Sequence, residues 1–269
     1  MTATVDAPLS SRSRGPVARY LRALWLLTTR DLKVRYSTSF LGYLWSVLDP
    51  LLMAGIYWFV FVLVFQRDVG EEPYIVFLLS GLLPWMWFSG AISDSTRAFT
   101  REAKLIRSTT IPRTIWVAQL VLAKGLEFGF SLPVLALFAI LGGAHLTWSA
   151  PLFLLAILVQ AVLTLGLGLI VAPLVVFFRD LERAVKLLLR FLFYASPIIY
   201  GLTDLEHLGL ETVGAFNPLA GIFSMYRGAF FADQVDPFAI AVSAGLALLA
   251  LGIGLLVFRR TIRSVLKAI

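Results

Sequence analysis

The sequence predicts an all-α integral membrane protein with six transmembrane helices, an N-terminal amphipathic interfacial helix and a re-entrant helical segment between spans five and six. Three observations carry that expectation. Hydrophobic residues fill 59% of the 269 positions and charged residues only 14%, against about 25% charged in soluble domains. The apolar residues come in runs of about twenty, the length at which a helix crosses the hydrocarbon core. The basic residues between those runs fall almost wholly on one side, the asymmetry of the positive-inside rule.

Residues 1–36 read as a cytoplasmic N-terminus and residues 37–269 as the six-span domain. No apolar stretch follows Arg12 and Arg14 closely enough to make a secretory signal, so the first span is expected to stay as an anchor. The stretch from Val17 to Lys33 is too polar to cross. At 100° per residue Arg19, Arg22, Arg30 and Lys33 fall within an arc of roughly 80°, with Val17, Leu21 and Leu24 opposite and Leu26 out of pattern. Two readings fit: a helix lying in the headgroup layer, or a plain basic flank to the first span.

The spans are expected at 42–65, 74–96, 114–141, 152–177, 187–202 and 237–258. The fifth is short, and Pro197 interrupts its end. Beyond it Asn217 and Pro218 open an apolar stretch, 217–231, too short to cross, which reads as re-entrant or interfacial. Pro84, Pro133 and Pro173 also lie inside runs, where each removes a backbone hydrogen bond and can kink its helix.

Twenty of the 23 Lys and Arg residues gather on one side of this layout. They are Arg12, Arg14, Arg19, Arg22, Arg30, Lys33 and Arg35; Arg97, Arg101, Lys104, Arg107 and Arg113; Arg179, Arg183, Lys186 and Arg190; and Arg259, Arg260, Arg263 and Lys267. Only Arg67 and Arg227 fall opposite, and Lys124 lies inside span three. Both termini are therefore expected in the cytoplasm, and the net charge of +7 is a topology signal rather than a nucleic-acid footprint. The outer loops hold Asp68, Glu71, Glu72, Asp204, Glu206, Glu211, Asp233 and Asp236, read as solvating charges.

Catalytic signatures are missing. There is no cysteine, no phosphate-cradling G-x-x-x-x-G-K-[ST] loop and no D-x-D, Asp204 and Glu206 coming nearest. His145 and His207 sit far apart without cysteine partners, so a metal site is not expected. The length also leaves no room for an attached ATPase domain. The chain is expected to be no enzyme, with no catalytic residue, metal ligand or cofactor of its own.

Four ionisable groups fall in or near spans: Asp49, Asp94, Lys124 and Glu127. Lone charges in hydrocarbon are costly, so such groups find partners or line a path. Lys124 and Glu127 are three apart and can pair on one helix. Asp49 before Pro50 reads as a helix cap followed by a first-turn proline, or as a functional carboxylate. Aromatic side chains cluster at Tyr57-Trp58-Phe59, at Trp85-Met86-Trp87-Phe88 and from Phe191 to Tyr200. Either they form interfacial belts, or Tyr57, Trp58, Trp85, Trp87, Tyr194 and Tyr200 line a conduit whose aromatic planes pack against the C–H faces of sugars.

Arg30-Asp31-Leu32-Lys33-Val34-Arg35-Tyr36, then Ser39-Phe40-Leu41-Gly42-Tyr43-Leu44-Trp45 and Asp49-Pro50-Leu51, resemble the permease subunits of ATP-binding-cassette polysaccharide exporters, the O-antigen and teichoic-acid export permeases. Ile111-Pro112-Arg113, Phe178-Arg179-Asp180, Ser196-Pro197-Ile198-Ile199-Tyr200, Asn217-Pro218 and Tyr226-Arg227 extend the resemblance over nearly the whole chain. Asp49 stands where that family more often has Asn. The resemblance implies a homodimer with a channel at its interface and two separate ATPase subunits beneath it, which hold the ATP and Mg²⁺. It implies that 97–113, with Arg97, Arg101, Lys104, Arg107 and Arg113, couples to the ATPase. Residues 178–190, with Arg179 and Asp180, would form a second contact. Residues 217–231, with Asn217, Pro218, Tyr226 and Arg227, would gate the outer face. The substrate would be a polyprenyl-linked glycan; Arg outnumbers Lys by 18 to 5, a bias of GC-rich genomes, and within the resembled family that implies an actinobacterial exporter of lipid-linked cell-wall galactan.

Three readings compete with glycan export. A drug or lipid exporter permease would share the architecture without a continuous aromatic channel. An ion-coupled transporter would use Asp49, Asp94, Lys124 and Glu127 and carry an inverted repeat. A membrane glycosyltransferase would need Mg²⁺-binding carboxylates at a membrane face.

Overall fold

The computed structural model describes residues 15–37, 42–64 and 71–268. Arg12, Arg14, Ser39, Phe40, Leu41, Arg67 and Asp68 lie outside the described residues, as do the side chains of Tyr43 and His207. All regular structure among the described residues is helical. Four helices are long and apolar enough to cross a membrane: α3 (Tyr74–Ser95), α6 (Ile115–Leu141), α7 (Pro151–Phe177) and α11 (Pro237–Ala268). The chain is thus an integral membrane protein. Before them come α1 (Pro16–Tyr36) and α2 (Trp45–Trp58), the latter continuing as a π-helical turn over Phe59–Val64. Two short helices, α4 (Ala98–Arg101) and α5 (Ala103–Ser108), join α3 to α6. After α7 come α8 (Leu181–Ala195), α9 (Glu211–Ala215) and α10 (Ala220–Gly228).

Helix α3 is the centre of the bundle, buried continuously from Val76 to Trp85. Its apolar residues face other helices on every side, as a helix without a polar stripe requires. The most extensive seam lies between α7 and α11. A Cβ on Gly166 would stand 2.5 Å from the backbone of Ala250 and Leu251, and one on Gly254 would stand 2.3 Å from the Gly166 carbonyl. Glycine at these two positions lets the backbones touch, as small residues do wherever membrane helices pack closely.

Helix α1 packs on α6 through Leu24, Thr28 and Leu32, one residue per turn, with Thr28 and Leu32 buried. Val17, Leu21 and Trp25 form a second apolar line that stays exposed beside the basic residues. That division of faces suits a helix lying in a headgroup layer.

Two helix boundaries differ from expectation. Asp49 does not cap α2: the helix starts four residues earlier, after a 3₁₀ turn at Gly42–Leu44, so Asp49 and Pro50 sit in its second turn. The preceding turn already fixes the helical direction, and the proline costs only one hydrogen bond close to the helix start. The fifth apolar run, expected at 187–202, is helical over 181–195. Its charged first turns hide it from a hydropathy reading. Pro197 stops it by driving Ser196 into extended backbone, φ −97°, ψ 148°.

One acid of the opposite loops has a definite task. The Oδ1 of Asp236 accepts hydrogen bonds from the amides of Phe238 (2.8 Å) and Ala239 (3.0 Å), capping α11. Asp236→Ala is expected to cost about 1 kcal/mol, read as a lower thermal midpoint in detergent. An unchanged midpoint would show the cap to be redundant.

Candidate functional site

The ends of the helices where Arg and Lys gather, here the basic end, carry most of the charge-bearing candidates. The connection from α3 to α6 is fastened by two apolar pegs. Phe99 and Ile106 are buried among Trp116, Val117, Leu169 and Phe258, with the rings of Phe99 and Phe258 6.0 Å apart. Pegging one face leaves the other outward: Arg101, Lys104 and Arg107 are exposed and have no carboxylate within ion-pair reach among the described residues. Arg113 instead closes the loop, Nη1 donating to the carbonyls of Thr109 (2.7 Å) and Ile111 (3.1 Å). Arg179 and Asp180, in the turn before α8, are exposed beside Phe178.

Arg97 is held differently. Its guanidinium donates to Glu182 on α8, and Lys186 donates to the same Glu182 oxygen at 2.7 Å. Hydrogen bonds from Arg97 and then Lys186 hold the Glu182 carboxyl well below the usual carboxylate range, at about 2. A depressed carboxylate contributes at every pH above the ordinary range and is lost only as pH falls toward that value. The group is exposed, so salt weakens the link. Sequence reading passed over Glu182, although its i, i+4 spacing to Lys186 is the signal that could have found it.

Three of the four intramembrane candidates meet around Arg35. Its Nη2 donates to Asp94 (2.9 Å) and Asp31 (3.1 Å), and its Nε lies 3.6 Å from Glu127. Glu127 in turn accepts from Lys124 at 2.7 Å, the pair expected from their spacing. The stem of Lys124 runs past Gly90, where a Cβ would come within 3.2 Å of it. The cluster therefore ties α1, α3 and α6 together, and each charge has an opposite neighbour. Asp49 stands apart, exposed on α2. Arg35 and Asp31 were visible only within the resemblance, because a base and an acid in an interfacial helix look like surface charges.

The aromatic candidates divide. Tyr57 of α2, Trp85 of α3 and Tyr194 of α8 line one groove of about 330 Å³ together with Met53, Met86 and Ser89. Phe193 joins them: its ring stacks on Tyr57 at 5.7 Å and meets Trp85 edge-on at 5.6 Å. Arg190 lies in the same lining. Trp58 lines a separate groove beside Ile75 and Phe138. Trp87 is a core residue, its indole N–H donating to the Val121 carbonyl at 2.9 Å. Tyr200 donates weakly to the Tyr194 carbonyl at 3.3 Å.

The 217–231 stretch is packed in the bundle. Asn217 Nδ2 donates to Ser196 Oγ (2.9 Å) and to the Ala195 carbonyl (3.2 Å), holding the far end of α8, with Pro218 following. Tyr226 is buried against Phe153 and Phe128. Arg227, which a loop assignment would leave in water, is 2% exposed. It donates from Nη2 to the Ile198 carbonyl (2.6 Å) and from Nη1 to the Tyr200 carbonyl (2.9 Å), and its guanidinium carbon lies 3.7 Å over the Phe77 ring. No carboxylate pairs with it among the described residues. The group reads as a brace between α3, α10 and the irregular segment after α8, which a one-dimensional reading cannot see.

Comparison with known proteins gives the same picture from the sequence side. Residues 22–231 match the family described as ABC-2 type transporter. The O-antigen export system permease protein RfbA of Klebsiella pneumoniae is 36% identical over 241 residues, covering 88% of this chain and 91% of that one. The protein of that name from Myxococcus xanthus is 31% identical over 218 residues, covering 81% and 83%. The polysialic acid transport protein KpsM of Escherichia coli is 24% identical over 248 residues, covering 87% and 91%.

Proposed function

The chain belongs to the ABC-2 type transporter family, and from that premise we propose that it is the permease subunit of an ATP-driven exporter moving a polyprenyl-linked polysaccharide across the cytoplasmic membrane. The observation that carries the reading is the similarity, over some nine tenths of both chains, to a relative named for O-antigen export. Two copies of the chain form the channel, and two separate ATPase subunits supply ATP and Mg²⁺ chemistry. The basic end faces the cytoplasm, in keeping with the positive-inside rule. The apolar runs at 42–65 and 187–202 complete six spans, with 217–231 as the re-entrant element. The exposed face of 97–113 seats in the ATPase, with Arg179 and Asp180 as the second contact.

Two features support a neutral polymer as cargo. Aromatic planes gather along one groove, and each carboxylate around Arg35 is held in an ion pair with Arg35 or Lys124, so none there is left free to serve a proton relay. Within this reading the glycan is a cell-wall galactan. Depleting the chain in its native host and analysing polyprenyl-linked glycans at the cytoplasmic face tests both statements. A long lipid-linked polymer should accumulate there, and galactose should be among its sugars. Normal outer polymer with no accumulation would reject export, while a polymer without galactose would reject the galactan alone.

Coupling has its own test. Reversing the charge of Arg101 or Lys104 to Glu should weaken recovery of the ATPase with the permease about tenfold, since charge-assisted contacts are worth roughly 1.5 kcal/mol or more. Membrane insertion should stay normal, because neither side chain has an ion-pair partner among the described residues. Undiminished recovery from both variants would move the coupling surface elsewhere.

A further inference from the structure

The groove between α2, α3 and α8 holds one charge, Arg190 at the end of the 178–190 segment, for which the export reading names no partner. Arg190 sits nine residues beyond the start of α8, about 13 Å along the helix axis, among Trp85, Tyr57, Phe193 and Tyr194. No Asp or Glu among the described residues lies within ion-pair distance of it, whereas Arg97 and Lys186 near the base of the same helix both reach Glu182. Arg190 is exposed at the rim of the groove, so its guanidinium is open to an arriving anion, and bases at such depth mark substrate paths. At 100° per residue Arg183, Arg190 and Tyr194 share one face of α8, so a basic track runs from the basic end up to the aromatic groove.

We propose that Arg190, assisted by Ser89 and the Tyr194 hydroxyl, is a phosphate subsite that receives the phosphate linker between the polyprenyl chain and the first sugar. The proposal rests on the export reading and deepens it. The chemistry is complementary at each point. A guanidinium presents a planar fork of donors that phosphate oxygens fill two at a time. Hydroxyl groups donate to the remaining oxygens. The aromatic planes beside it suit the sugar that follows. A volume near 330 Å³ lies at the lower end of small-ligand sites, enough for the linker and its neighbouring sugar rather than for the polymer.

The experiment uses the full chain in nanodiscs of zwitterionic lipid, with a short polyprenyl diphosphate and the polyprenol of equal length as probes and tryptophan fluorescence as readout, Trp85 being in the groove. The intact chain should prefer the diphosphate by about ten- to a hundredfold, the range of charge-assisted hydrogen bonds. Arg190→Gln should erase that preference with polyprenol affinity unchanged. Arg190→Lys should keep part of it, and Tyr194→Phe, at an exposed position, should lower it severalfold. Full preference in Arg190→Gln would overturn the proposal. So would displacement of the diphosphate by an equal amount of phosphatidylglycerol, which would make the subsite one for any anionic headgroup. The two readings fail separately. Diphosphate preference without glycan accumulating on depletion would remove export and leave the phosphate subsite standing. Accumulation on depletion, with an Arg190→Gln chain that binds and exports normally, would remove the subsite and leave export.

Discussion

Replacing Gly166 by leucine is expected to abolish recovery of folded chain from membranes. The first added atom would stand 2.5 Å from the backbone of Ala250 and Leu251, and helical backbone has no rotamer with which to step aside. Overpacking that flexible neighbours absorb costs roughly 1–3 kcal/mol. Here two helices would have to separate along a seam, so the loss should exceed about 3 kcal/mol, a large part of a domain's net 5–15. Gly252→Ala on α11 is the matched control: it meets open space and should be neutral or gain up to about 1 kcal/mol of helix propensity. Fluorescence-detected gel filtration of both variants, with thermal midpoints, decides the matter. A monodisperse Gly166→Leu chain melting with the parent would refute the close seam.

Arg227→Met should lower the thermal midpoint sharply and loosen the segment after α8. Methionine has nearly the right length and keeps the apolar contact with Phe77, but it donates nothing. The carbonyls of Ile198 and Tyr200, now bonded at 2.6 and 2.9 Å, would be left without their donor at about 1–3 kcal/mol each. Arg227→Lys should recover only part of the loss, because one ammonium does not span two carbonyls two residues apart as the fork does. Gly81→Ala should act on the same point, since its Cβ would lie 3.0 Å from both the Arg227 guanidinium and the Ile198 carbonyl. Hydrogen exchange across 196–202 gives the local readout. Unchanged protection in Arg227→Met would reduce the brace to packing.

The apolar runs near 74–96, 114–141, 152–177 and 237–258 emerged as the four long helices, three with boundaries close to those expected and α11 running ten residues further, to Ala268, because uninterrupted hydropathy over twenty residues leaves a chain few alternatives. The start of α8 was misplaced for the complementary reason. Glu182, Arg183 and Lys186 look like a loop when averaged, yet they are the polar face of a helix whose other face is leucine. The Lys124–Glu127 pair was legible because both members lie on one helix within a turn. Arg35 with Asp94, Arg97 with Glu182, and Arg227 with the carbonyls of 198 and 200 join residues 27 to 85 positions apart, and no local pattern announces them. Composition singled out the aromatic clusters but not which members would meet. Trp87 turned toward α6 while Trp85, two residues earlier, turned toward α8, a division set by the 3.6-residue period of α3.

The glycine contact between α7 and α11 has a mechanical meaning. Two rods whose backbones touch have no layer of side chains between them to shear, so sliding one past the other would first require prising them apart. That pair can serve only as a stator. Helix α8 is its opposite: Glu182 holds one end and Asn217 the other, while most of its length presents side chains outward. Between those tethers the Phe193 ring, packed on Tyr57 and Trp85, is its main inward anchor. A pull on Arg97 would reach α8 through Glu182, and any turn of that helix would carry Arg190 and Tyr194 with it.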